Sequence, residues 1–220
     1  MQQDNRIQAR DNLVKQYCLS TAYLAPVEYY MLLSEASMIL LEQHDFFVKQ
    51  TYRNRCTIGT ANGPMDLIIP VEKLQSNKSL IKDIRISDHG NWRANHWKAI
   101  MSAYQSSPFF EFYADDLVSF YEKKWSFLWD FNLALQQEML TLLDFDSNIQ
   151  LTDKYLPDYE NEYIDLREAI HPKKENVVSD FCPYYQIFSQ RYGFQENLSI
   201  VDLLFNMGNE SILILKKLLN

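Results

Sequence analysis

The chain is 220 residues long, 47% apolar and 14% aromatic, with a formal net charge of −8. That length suits one domain with a sizeable core. The acidic balance excludes a nucleic-acid coat, which needs clustered Lys and Arg, and no run approaches the roughly 20 apolar residues that cross a bilayer.

In chain order, the opening "MQQDNRIQARDNLVKQY" is polar and offers no apolar run for a signal peptide. "QYCLST" reads as a buried strand, "APVEYYMLLSEA" as a helix with Pro26 near its first turn, and "SMILLEQ" as a second strand. "YRNRCTIGTANGPMDLIIPVE" gives the clearest local signal: two β-rich runs flank Asn62-Gly63, residues that tolerate the positive φ of a hairpin turn. Antiparallel pairing of 55–59 with 66–70 is therefore expected. "SLIKDIRISD" reads as a further strand, with Leu80, Ile84 and Ile86 apolar.

After "DHGN" the period changes to that of helices. "NWRANHWKAIMSAYQ" repeats Trp97, Ile100, Met101 and Tyr104 at helical spacing and stops before Pro108. "PFFEFYADDLVSFYEKK" and "SFLWDFNLALQQEMLTLL" continue as helices. Their stripe of Phe109, Phe112, Tyr113, Phe120, Trp125, Phe127 and Trp129 is read as core, with Glu111, Asp115 and Asp116 on the solvated side. The polar stretch over 144–180, broken by Pro157 and Pro172, reads as a lid or irregular arm. Two short helices close the chain, "SIVDLLFNM", with Ser199 and Asp202 at capping-pair spacing, and "ESILILKKLL". The expected fold class is α+β: a small mixed sheet with a β-hairpin in the N-terminal part, packed on a mostly helical C-terminal half. One domain over 1–220 is expected, sheet-rich over 17–90 and helical over 91–220.

Cys18, Cys56 and Cys182 are odd in number and lack CxxC spacing, which suits a reduced, cytoplasmic setting. The sequons at Asn197 and Asn209 would matter only on a secretory route. There is no GxxxxGK[ST], GxGxxG, HExxH or GxSxG, so no metal and no cofactor is expected.

Candidate site residues remain. Lys49, Arg53 and Arg55 put three cations and no acid into residues 49–55. On one strand, Arg53 and Arg55 would share a face, with Asn54 opposite. Two guanidinium forks suit phosphate or carboxylate, with Lys49 as an added point charge; the alternative is a solvated edge guarded against aggregation. His96, beside Trp97 and one turn after Trp92, is either a general base or a half-buried structural histidine. Tyr23 follows the first strand, where open α/β sheets hold ligands, and serves either there or as a cap on the core.

"TAYLAPVEYY", "KQTYRNRCTI", "LIIPV", "NWRANHWKAIMSAYQSSPFFEFY", "YIDLREAIHPKK", "PYYQIF" and "LSIVDLLFNMG" together resemble the WbqC-like proteins of bacterial surface-polysaccharide gene clusters. Many members carry Gln-Pro and a Gly where this chain has Ser20-Thr21 and Glu28. The resemblance runs through Lys49, Asn54 and Arg55. It implies a role in polysaccharide (O-antigen) biosynthesis, as a transferase placing an amino-acyl (glycyl) group on a sugar intermediate. The substrate-binding set would be Tyr23, Lys49, Arg53, Asn54 and Arg55, with His96 catalytic and an anionic small molecule or sugar intermediate as ligand. The alternative is a non-catalytic partner of polysaccharide-synthesis proteins.

Overall fold

The computed structural model describes residues 15–216 apart from 75, 77, 160 and 161. The polar opening and the last turn expected of the closing helix lie outside the described residues. Strand β1 (Gln16–Ser20) leads through helix α1 (Val27–Glu35) to β2 (Met38–Glu42), which pairs parallel to β1 with Gln16 opposite Met38 and Ser20 opposite Glu42. Tyr17, Cys18 and Leu19 are all fully buried, the continuous apolar run of a parallel strand covered on both faces. Pro26 caps α1 at φ −65, and its missing N–H falls where no helical partner exists.

β3 (Arg55–Thr60) and β4 (Gly63–Ile68) form the expected antiparallel hairpin. The turn differs in register. Thr60 pairs with Gly63, so Ala61-Asn62 are the central residues; Gly63 alone takes a positive φ, +99, while Asn62 does not. The Thr60 hydroxyl donates to the Gly63 carbonyl (2.7 Å) and accepts from the Asn62 N–H (3.2 Å), so a side chain closes the loop.

The strand expected over 79–88 is not one. Ile81–Asp83 is a 3₁₀ turn, and only isolated bridges, such as Val71 with Ile86 and Arg85 with Phe127, flank it. Its apolar residues still point inward: Ile81, Ile84 and Ile86 are buried. Period 2 alone does not separate a strand from a buried irregular segment.

Helices α2 (Trp92–Tyr104), α3 (Phe110–Glu122) and α4 (Leu128–Leu142) follow. Of their aromatic stripe only Trp129 is buried; Phe109, Tyr113, Phe120, Trp125 and Phe127 are half-buried, and Phe112 is 74% exposed. β5 (Ile149–Leu151) then pairs parallel to β2, and β6 (Ile164–Asp165) parallel to β1, giving the order β5-β2-β1-β6. The sheet therefore draws its two edges from the polar stretch expected to be an arm.

α5 (Ser189–Tyr192), α6 (Ile200–Met207) and α7 (Ser211–Leu215) close the described chain. Ser199 and Asp202 are not a capping pair. The Ser199 hydroxyl donates to the Leu24 carbonyl (2.8 Å), and the Asp202 carboxylate turns inward to accept from Tyr104 (2.9 Å), Tyr184 (2.8 Å) and Gln186 (3.0 Å). Gly208 ends α6 at φ +54, against the Phe109 ring; a Cβ there would stand 2.6 Å from Phe109 Cδ1. Glu28, 2% exposed, takes the Asn197 amide (2.8 Å) and the Val177 N–H (2.8 Å), fastening 176–178 to α1. No helix among the described residues is long and apolar enough to cross a membrane.

Candidate functional site at the carboxyl edge of the parallel sheet

All four sheet strands run the same way, so their carboxyl ends share an edge, the usual place for a ligand in an open parallel sheet. Glu42 ends β2 there, 1% exposed. It accepts from the His44 N–H (2.7 Å), the Thr152 hydroxyl (2.9 Å), Tyr159 (3.3 Å) and Arg167 Nη1 (3.1 Å). Arg167, two residues past β6, gives Nε and Nη2 to Asp165 and lies over the Tyr155 and Tyr159 rings at 5.0 and 5.1 Å. Glu42 and Arg167 are a buried ion pair with every strong direction filled. Removing either partner strands the other, at a cost of about 3–5 kcal/mol.

Arg53 stands beside this pair and differs in one respect. It is 3% exposed, and Nη2 alone makes its side-chain contacts: Asp45 (2.7 Å), Glu168 (2.8 Å) and the Ser20 hydroxyl (2.8 Å). Nε and Nη1 have no protein partner among the described residues. Arg53 and Arg167, with Thr21, Ala22, Tyr29 and Ile170, line a cavity of about 20 Å³. Thr21, 2% exposed, leaves its hydroxyl unpartnered there. A cavity of that size admits one water or one ligand oxygen, not a ring.

The other sequence-derived candidates are distributed as follows. β3 begins only at Arg55, and Arg53 precedes it on a turn, so the two guanidiniums do not share a strand face. Arg55 points at Asp66 across the hairpin, 3.4 Å away. Asn54 is buried and donates to the Ile69 carbonyl (2.9 Å). Lys49 is exposed, next to Gln50, which adopts φ +62. Tyr23 and His96 do meet: the Tyr23 hydroxyl lies 3.0 Å from His96 Nδ1 and 2.8 Å from the Tyr121 hydroxyl. His96, packed edge-on to Trp92, is 6% exposed, and burial holds its pKa down at about 4, so the ring is neutral near pH 7. None of Tyr23, Arg55 or His96 lines the cavity at the sheet edge.

Sequence reasoning missed Glu42, Thr21, Arg167 and Glu168 as site residues. The signal lay in "YIDLREAIHPKK", a segment that carries the resemblance but has no catalytic spacing of its own. The Cys18 thiol beneath the edge is pushed up to about 12 by burial, which leaves it protonated and unreactive. Among the described residues no group of three His, Cys, Asp or Glu is placed to hold a metal ion.

The family model of the WbqC-like protein family matches residues 21–174, which hold the hairpin, the buried arginines and every strand of the parallel sheet except β1. The chain belongs to that family. Neither a curated protein nor a solved structure matches it.

Proposed function

We propose that the protein is a transferase acting on a sugar intermediate of bacterial surface-polysaccharide biosynthesis, and that the sugar binds at the carboxyl edge of the parallel sheet. The observation that carries this reading is Arg53: a buried guanidinium with two unspent donor groups, beside the unpartnered Thr21 hydroxyl. One oxygen of the sugar fills the cavity between them. The ring lies outside it against Tyr155, which is 48% exposed, with Glu168 alongside. Arginine, carboxylate and an exposed aromatic face are the groups that recognise a polyhydroxylated ring.

For the glycyl transfer that the family resemblance implies, the same placement offers a base. The sugar's amine or hydroxyl attacks the carbonyl carbon of an activated glycyl donor, and its proton passes to Glu168. The carbon's bond to the donor's leaving group breaks, and the leaving group keeps the electron pair. Glu168, 55% exposed on its side chain and held by Arg53, can both orient and accept. Incubation with nucleotide-sugars and glycyl donors should raise the melting temperature by several degrees for the matching pair. Glu168→Gln should then retain ligand stabilisation while glycyl transfer, followed by mass spectrometry, falls by about 100-fold. If no sugar or glycyl donor stabilises the protein, the enzyme reading fails in favour of a non-catalytic partner in a polysaccharide-synthesis complex.

A further inference from the structure

The cations of "KQTYRNR" acquire company in the fold. Lys173 Nζ bonds the Gln50 side chain, bringing residues 173–174 beside Lys49. Lys174 Nζ donates to the Glu168 carbonyl (2.6 Å), and Glu168 in turn holds Arg53. Lys49, Lys173 and Lys174 are all exposed, and among the described residues none is paired with a carboxylate. His171 lies between them and the cavity-lining Ile170. Its Nδ1 accepts from the Lys173 N–H (3.0 Å), which leaves Nε2 as the donor. Burial and then Lys174 hold its pKa down. In a chain of net charge −8, a row of lysines without a carboxylate partner among the described residues, leading into a pocket with an unpartnered, buried hydroxyl, is a built feature.

We propose that this rim, formed by Lys49, His171, Lys173 and Lys174, binds the diphosphate of a sugar-diphosphate substrate whose sugar occupies the Arg53–Thr21 pocket. The proposal rests on the sugar-binding reading above and adds the carrier chemistry. Lysines suit this role because they meet phosphate as mobile point charges, whereas the fixed fork of Arg53 serves the oriented oxygen inside. A diphosphate supplies more negative charge than a sugar alone and matches several cations spread over one rim.

The test uses the whole chain and pyrophosphate as probe, by calorimetry in buffer free of divalent cations. One pyrophosphate should bind per chain, with affinity falling as salt rises. Lys173→Gln/Lys174→Gln should weaken it at least tenfold, while Lys98→Gln, an exposed lysine on α2, should leave it unchanged. UDP and farnesyl diphosphate then distinguish the carrier: tighter binding of either than of pyrophosphate identifies a nucleotide or a lipid, and equal binding identifies the headgroup alone. Each of those three results supports the proposal. Absence of pyrophosphate binding at millimolar concentration overturns it, as does binding that the double variant leaves intact or that Lys98→Gln weakens equally. Pyrophosphate carries no sugar and no acyl group, so this readout is separate from glycyl transfer.

Discussion

Single side chains in this protein differ chiefly in how much of their hydrogen-bonding capacity is committed. Arg53 and Arg55 are two residues apart and have unlike surroundings. Truncating Arg53 to Ala strands Asp45, whose side chain is 16% exposed, and should cost about 3 kcal/mol. Truncating Arg55 releases Asp66, which is 44% exposed, and should cost about 0–1 kcal/mol. Urea denaturation of the two variants measures the contrast; equal costs would contradict the assignment of the buried network to Arg53. Asp202 supplies a pH signature. Burial raises its pKa from 3.8 to about 6, against the lowering effect of Tyr184, Tyr104 and Gln186. The two facing phenols have pKa values well above the ordinary one and remain protonated throughout. A carboxyl whose folded pKa is raised favours folding in its protonated form, so its contribution is fullest below about pH 4 and is lost as pH rises through about 6. The stability of the native chain relative to Asp202→Asn should therefore fall by on the order of 2–3 kcal/mol between pH 4 and pH 7. A flat difference across that range would show that Asp202 is not the buried titrating group.

Among the elements, two glycines show how the same backbone angle has different consequences. Gly63 in the hairpin and Gly208 after α6 both have positive φ. A methyl group at Gly63 meets nothing within 4 Å, so Gly63→Ala should cost only the backbone penalty, about 1–2 kcal/mol. At Gly208 the methyl would collide with the Phe109 ring, and Gly208→Ala should cost more, about 3 kcal/mol, with the excess partly relieved in the background of Phe109→Ala. Thermal unfolding of the double-mutant cycle reads that coupling, and simple additivity would refute the contact. The elements that sequence made legible were those whose cause is local. Asn62-Gly63 announced a turn, and the apolar spacing of α2, α3 and α4 announced helices. β5 and β6 were not legible, because strands of three and two residues carry too few side chains for a period. Their ladder partners lie over a hundred residues earlier. Ser199 and Asp202 had the spacing of a cap but found stronger partners in Leu24, Tyr104 and Tyr184.

Over the whole molecule, the candidate site is a product of sheet topology. Ser20, Glu42, Arg53 and Arg167 belong to four separate segments and meet only because β1, β2 and β6 are parallel and end together. The cation cluster was visible in "KQTYRNR", but the acids that engage Arg53 and the lysines that join Lys49 come from residues 45 and 168–174, which no local pattern connects to it. The same topology predicts the outcome of truncation. A chain ending at Leu143 lacks β5 and β6 and leaves the buried residues of β1 and β2 with open edges on both sides. It should lose the native near-ultraviolet signal and bind an apolar dye or aggregate on size exclusion; a monomer with native spectra would show that the edges are dispensable.

The pairing of β1 with β6 also has a consequence in time. Tyr17 is synthesised 147 residues before its ladder partner Ile164. At elongation rates of about 5–20 residues per second, that is an interval of roughly 7–30 s. Throughout it, one side of β1, whose three central residues are fully buried in the finished fold, has made its side chains but not its hydrogen bonds. The nascent chain therefore spends most of its synthesis as an unfinished template for strand addition, open to chaperones and to neighbouring copies until the segment that also bears Arg167 closes it.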